Sequence, residues 1–436
     1  MARPPSVEET FEIESLTHDG RGVARPQGKA VFVHGALPGE QVTAKRVRRH
    51  RNYDEAIALH IGRPAPERVT PRCPHFGVCG GCVLQHLAPE AQLAAKERQL
   101  FEELERVGHV SAAERLPPVA ASPWGYRRRA RLGVKYVPKK GGVLVGFRES
   151  LAPLIAEIGE CHVLPPRVSG LLRPLALMIE TLTIRSRLPQ IEVSVADTAL
   201  ALVLRVLDPP TPADREALSA FAARHELEIY LQGGGLDSVQ ALTPPATALS
   251  YSLAREDVRV GFLPTDFIQV NAAVNELLVA RAIQELDPRP GDSILDLYCG
   301  LGNFTLPLAR RAGRVTGIEG DAGLVARARA NASSNGIANA EFHVANLAEA
   351  LPDYEWNRQR YDLLLLDPPR VGAPAVLGRI ARWRPRRVVY VSCQPSSLAR
   401  DAGVLVRELG YTLGRAGVID MFAHTAHVES MAVFDG

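Results

Sequence analysis

From Phe267 onward, nearly continuous apolar runs alternate with helical stretches. SILDLYCG, RVTGIEG, YDLLLLDPPR and RRVVYVSC each lead into a helix, AEFHVAN intervenes, and a β pair closes the chain. Strands apolar along their whole length are buried on both faces, and strand–helix–strand alternation makes them parallel, so a doubly wound sheet is predicted. Ligands of such sheets sit at the carboxyl ends of the strands. The residues that end each strand are therefore the candidates for chemistry.

The first strand runs into DLYCGLGNFT, positions 296–305. Gly300 and Gly302 allow a sharp turn and close backbone approach to a ligand, and the helix behind offers free N–H groups. Glu319 ends the second strand, where an acid can accept hydrogen bonds from ribose hydroxyls. NAD, a nucleotide and S-adenosylmethionine all fit this pattern, as does a bare strand-to-helix turn. Thr305 at the third fingerprint position speaks against NAD. Asp367 in DPPR ends the fourth strand and faces the same crevice. Cys393 ends the fifth in YVSCQP, as a reactive thiol or simply a small apolar residue, and Cys299 is equally eligible on composition. Glu429, in HVES, interrupts an apolar closing strand; it is either the partner of a buried cation or a working base.

A chain of 436 residues exceeds one ordinary core. Three domains are expected: 1–65, 66–265 and 266–436. The first alternates short β runs with glycines, as a small OB-like barrel does. Its strand RVRRHRNY (Arg46, Arg48, Arg49 and Arg51, then Tyr53) suits RNA phosphates and a stacked base, or is a solvated charged strand. The middle third reads as α+β, with YRRRARL as a second basic strand. A helix is predicted over 89–107, with Leu93, Leu100, Leu104 and Val107 on one stripe and Gly108 as its cap. It is expected to pack on the catalytic domain. The formal charge of +3 is too small to imply a nucleic-acid partner without such patches.

MARPPSVEET has no apolar secretory signal and no run is long enough to span a bilayer, so a cytoplasmic chain with reduced cysteines is expected. Cys73, Cys79 and Cys82 form C-x5-C-x2-C, and Cys161 is a lone fourth. Four such thiols suggest metal over disulfide; spacing leaves both zinc and [4Fe–4S] open. His424 and His427 form only a weak H-x2-H, better suited to orienting the terminal loop or contacting RNA.

Taken together, DLYCGLGNFTLPLA, LLLLDPPRVG, VYVSCQPSSLARD and DMFAHTAHVESM closely resemble the RNA uracil-5-methyltransferases, over essentially the whole chain. Positions 11–42 resemble that family's TRAM barrel, and the four cysteines match its iron–sulfur segment. The branch carrying both features modifies 23S rRNA; the tRNA-modifying branch typically lacks both. The resemblance implies a multidomain α/β protein: a TRAM barrel, a central α+β domain with a [4Fe–4S] cluster on Cys73, Cys79, Cys82 and Cys161, and a Rossmann-like methyltransferase domain. It makes Cys393 the nucleophile, Glu429 the general base, and Gln269, Tyr298, Asn303, Glu319, Asn346 and Asp367 the S-adenosylmethionine contacts. Tyr298, Gln394 and Ala423 depart from the usual Phe, Asn and Pro.

The implied chemistry needs those groups. Carbon 5 of uracil is too weak a nucleophile until a thiolate adds to carbon 6 and makes the ring an enolate. A base must then remove the carbon-5 proton so that the cysteine can leave. Carbon 6 is unreachable in a stack, so the expected partner is 23S rRNA presenting a flipped or looped uridine to a monomeric enzyme. The alternatives are a tRNA methyltransferase, a 5-methylcytidine-forming enzyme, and a non-catalytic assembly factor on the same scaffold.

Overall fold

Seven segments of the C-terminal region form one sheet: β1 (Ser293–Leu297), β2 (Arg314–Glu319), β3 (Ala340–Val344), β4 (Leu363–Leu366), β5 (Arg387–Ser392), β6 (Thr412–Ile419) and β7 (Glu429–Asp435). The computed structural model describes residues 8–243, 248–349 and 354–436. The strand order is β3-β2-β1-β4-β5-β7-β6, with the short strand Glu114–Arg115 beyond β6. β1 to β5 are mutually parallel, and β7 runs antiparallel between β5 and β6. The leucine run of β4 explains why this strand sits centrally. Leu363 and Leu365 enter the core on one side of the sheet, Leu364 and Leu366 that on the other, as a period of two requires. The helix Ala272–Leu286 covers the first side; Pro374–Trp383 and Pro395–Arg407 cover the second. The order reverses between β1 and β4, and the crevice above that point is where a doubly wound sheet takes its ligand.

The N-terminal region forms a separate six-stranded sheet around Phe11, Val31, Val33, Val42 and Ala56. The middle region holds another, with strands Arg129–Val137 and Gly142–Gly146 joined as a hairpin across Gly141. The hairpin Leu249–Phe262 packs into the same core as β1 and the helix Ala272–Leu286. Among the described residues no helix is long and apolar enough to cross a membrane.

The predicted helix forms over Pro89–Glu103 and widens into a π turn over Leu104–Gly108. Leu100, Phe101 and Leu104 pack with the helix Pro395–Arg407, but the buried face continues through Gln92 and Lys96 while Val107 stays exposed. The left-handed residue after the helix is His109, not Gly108. Gly108 is needed because a Cβ there would lie 2.5 Å from the Ala399 carbonyl oxygen.

The expected iron–sulfur cluster requires correction. Among the described residues no group of three or more His, Cys, Asp or Glu side chains is arranged to hold a metal ion. Cys73, Cys79, Cys82 and Cys161 line one cavity of about 20 Å3, room for roughly one water. Cys79, Cys82 and Cys161 pack into the hydrophobic core of the middle region. The described side chains are therefore not arranged to hold a [4Fe–4S] cluster, and the middle region is an α+β unit. Close spacing along the chain brought the thiols near one another but did not fix a ligand geometry.

Candidate active site

The carboxyl ends of β1, β2, β4 and β5 share one edge, and antiparallel β7 begins there. Ser392, last in β5, pairs with Ser430, whose Oγ donates to the Ser392 carbonyl at 3.2 Å. One step beyond that pair stand Cys393 and Glu429, so the strand register sets thiol opposite carboxyl. Cys393 lines a cleft of about 1450 Å3 together with Arg370, Phe422, Thr425 and His427. Glu429 is buried behind it.

Burial pushes the Cys393 thiol up to about 11; the Glu429 and Asp367 carboxyls add to this and the Arg370 guanidinium opposes it. Burial first, and Asp367 second, holds Glu429 well above the usual carboxylate range. Asp367 itself is pushed up to about 7 by burial. The edge thus gathers proton-holding groups in a poorly solvated place, which is where acid–base chemistry is tuned.

At the neighbouring crevice, Tyr298 adopts a left-handed backbone (φ +65°), and Gly300 and Gly302 follow at +53° and +90°. A bulky residue held in that region marks a local constraint. A Cβ on Gly300 would meet nothing within 4 Å, so space lies open beside this backbone. The Gly300 N–H donates to Glu319 Oε2 at 3.2 Å, while Glu319 Oε1 accepts from the Gly320 and Asp321 amides. Asp296 is fully buried, accepts from Thr305 Oγ1 at 2.5 Å and leaves Oδ1 unpaired; burial pushes it up to about 7.

Asn303 is fixed by groups the sequence did not single out. The Tyr251 hydroxyl donates to its Oδ1 at 2.8 Å, and Asn275 exchanges two hydrogen bonds with it. Arg128 stacks on Tyr251 and donates to the Gln269 carbonyl at 2.9 Å, linking Gln269 to the same support. Asn346 follows β3 on the exposed side and bonds to Glu349. Cys299 is buried in the core beneath the turn, away from the cleft, with its N–H on the Ile318 carbonyl. Of the two strand-end cysteines only Cys393 reaches the cleft.

The loop after Asp367 is tied to the helix after Cys393. Buried Asp401 accepts from the Ala373 N–H and the Tyr390 hydroxyl, at 2.8 and 2.7 Å, and Ser397 Oγ donates to the Arg370 carbonyl. Ser392 Oγ brackets Gln394 by bonding both its N–H and its carbonyl. Gln394 uses its side chain on Ser396 instead, so the turn is pinned from the strand side. Gly372, at φ +78°, would place a Cβ 2.5 Å from Asp401 Oδ2. Gly372→Ala is therefore expected to lower stability by about 1–3 kcal/mol in denaturant unfolding, and to loosen the Asp367 loop with it.

The basic strands divide by the pleat. Arg127 and Arg131 line the cleft, whereas Arg128 points inward. In RVRRHRNY, Arg46 is neutralised by Glu9 and Asp54, while Arg48, Arg49 and Arg51 stay exposed. Tyr53 is stacked by His50 at 4.3 Å, which covers one face of its ring.

Comparison with known proteins follows the same lines. The profile of the tRNA (uracil-5-)-methyltransferase family matches residues 217–435, and that of the TRAM domain residues 8–59. The 23S rRNA (uracil(1939)-C(5))-methyltransferase RlmD of Stenotrophomonas maltophilia is 51% identical over 427 residues, covering 97% of this chain and 96% of that protein. Its counterpart in Alkalilimnicola ehrlichii is 52% identical over 430 residues, covering 98% and 96%. Among solved structures, the Pyrococcus abyssi tRNA (uracil-54, C5)-methyltransferase in complex with S-adenosyl-L-homocysteine is similar with a TM-score of 0.76 and 27% identity, over 98% of this chain and 99% of that one. With half of its length under one family profile and half of its residues shared with full-length relatives, this chain belongs to the RNA uracil-5-methyltransferases.

Proposed function

We propose that the chain transfers a methyl group from S-adenosylmethionine to carbon 5 of a uridine in 23S rRNA, by way of a covalent Cys393 adduct. The observation that carries the reading is the register that sets Cys393 opposite Glu429 beside the Gly300–Glu319 crevice. The name borne by the relatives supports 23S rRNA as the substrate, and a cleft of about 1450 Å3 has the volume for a nucleotide. Exposed Arg48, Arg49 and Arg51, with Arg127 and Arg131 along the cleft, are the groups suited to its phosphates.

The crevice residues fit the methyl donor. The free space beside Gly300 admits it, Glu319 suits ribose hydroxyls, and Gln269, Tyr298, Asn303, Asn346 and Asp367 complete the proposed contacts. When bound, the donor supplies an electrophilic methyl group. Cys393 adds through its thiolate to carbon 6, forming the S–C6 bond and pushing the ring electrons onto carbon 5 and oxygen 4. Glu429, kept toward its neutral form by burial, spares that thiolate a second negative charge. After methyl transfer Glu429, its own proton passed to solvent in the cleft, takes the carbon-5 proton as a carboxylate; the electron pair of that C–H bond re-forms the C5–C6 double bond and the C6–S bond breaks to the thiolate. The substrate and chemistry suit a monomer working in the cytoplasm.

Transcripts carrying [5-³H]uridine test the reading. Tritium is expected to appear in water one for one with methyl incorporation on a 23S rRNA fragment. Equal kcat/KM on tRNA would overturn the rRNA assignment, and methylation without tritium release would overturn the site on the base.

A further inference from the structure

Glu429 opens β7, so its place opposite Cys393 depends on the connection 420–428 that enters the strand. This connection has almost no regular structure, and one of its residues, His424, sits in a left-handed backbone at φ +63°. Such a segment holds one shape only when its surroundings over-determine it. What determines it comes from the other end of the chain.

Lys96, on the buried face of the helix Pro89–Glu103, donates to Asp420 Oδ1 at 2.7 Å and to the Phe422 carbonyl at 3.0 Å. Gln92, one turn earlier, accepts from the His424 N–H at 3.0 Å, and its amide nitrogen lies 3.2 Å from His424 Nδ1. The same nitrogen donates to the Leu84 and Leu87 carbonyls, and the Val83 and Leu84 amides donate to the His424 carbonyl. Lys96 and Gln92 are each only 2% exposed. Burying an ammonium and an amide adds little to stability compared with apolar side chains of the same size, since desolvation offsets the pairing. Their return is geometric: directional bonds to Asp420, Phe422 and His424 fix the first half of the connection, and with it the path by which the chain enters β7.

We propose that Lys96 and Gln92 are positioning residues for Glu429, acting through the 420–428 connection on the elimination step in particular. The inference rests on the proposed role of Glu429 as the base. Addition and methyl transfer use Cys393, which follows β5 and whose turn is bracketed by Ser392 Oγ, while the connection meets that site only as cleft wall, through Phe422, Thr425 and His427. Elimination needs the Glu429 carboxylate to reach the carbon-5 proton, with the electron pair of that C–H bond re-forming the C5–C6 double bond and the C6–S bond breaking to the thiolate. Loss of the Lys96 or Gln92 contact therefore slows release of methylated RNA more than methylation itself. A displacement near 1 Å costs up to about 100-fold at a reacting pair, and an indirect one should cost about tenfold.

The test is rapid-quench kinetics on full-length Lys96→Met, Gln92→Met and Glu429→Gln with a 23S rRNA fragment, counting methyl groups in covalent adduct and in free RNA. All three are expected to give a methylation burst followed by slow release, largest for Glu429→Gln and about tenfold for the other two. If Glu429→Gln accumulates a methylated adduct and the helix variants do not, the positioning role falls and the base assignment stands. If Glu429→Gln itself accumulates none, the base assignment falls first. Trapping on 5-fluorouridine RNA, which stops before elimination, is run alongside. A helix variant that fails to trap, or that loses methylation and release in equal measure, overturns the inference, because its contact then supports the fold or the addition step.

Discussion

Cys393→Ala is expected to abolish methyl transfer, by on the order of 10⁴-fold or more, and to form no denaturant-stable adduct with RNA containing 5-fluorouridine. The native chain should form that adduct, because fluorine at carbon 5 cannot be removed as a proton and the reaction stops after methylation. The size of the effect follows from chemistry: without the S–C6 bond, carbon 5 has no enolate behind it. Gel mobility and intact mass of the protein–RNA species read the result directly, and an active Cys393→Ala protein would refute the covalent route. The thiol also carries a pH signature. With a pKa near 11, raised by burial and by Glu429 and Asp367, only about one thiol in 10⁴ is ionised at pH 7. Alkylation of Cys393 in the free protein should therefore be slow at pH 7 and rise about tenfold per unit up to pH 10. Removing Arg370, whose charge favours the thiolate, should slow it further.

What could be read in advance depended on how far each signal was local. β4 advertised itself because four consecutive leucines suit only a strand covered on both faces, and the glycine turn because its conformation restricts residue type. From these the sheet, the crevice and the strand-end positions of Asp367 and Cys393 followed. The pairing of Cys393 with Glu429 did not, because register between β5 and β7 is a contact across 36 residues; the resemblance to a family supplied both residues, and the strand pairing supplied the geometry. The helix Pro89–Glu103 was expected from a leucine stripe, but its buried face includes Gln92 and Lys96, which a hydrophobic pattern reads as solvent-facing. Their partners lie more than 300 residues away. The cysteine segment failed in the opposite direction. The count of thiols suggested a metal and the family resemblance made it a cluster, while the ligand geometry depends on side-chain directions that spacing does not encode.

Glu429→Gln should leave addition and methyl transfer within a few fold of the native rates, and slow the release of 5-methyluridine by about 10²–10⁴-fold, the usual worth of a positioned general base. The native carboxyl is buried and held well above the ordinary range, so it behaves as a strong acceptor once ionised. Glutamine keeps the volume and cannot take the proton, which separates the two halves of the reaction in one variant. The pH dependence has a definite sign. Elimination in the native chain requires the carboxylate, so release accelerates as pH rises through the elevated Glu429 pKa and then levels off; in Glu429→Gln that rise disappears and only slow solvent-assisted proton loss remains. The same substitution removes a carboxyl that opposes the Cys393 thiolate, so the variant's Cys393 should alkylate at least as fast as the native one above neutral pH. A release rate unchanged by Glu429→Gln would assign the proton to another acceptor at this edge. Asp367, half-buried and pushed up to about 7, is the group whose replacement by asparagine would then be measured.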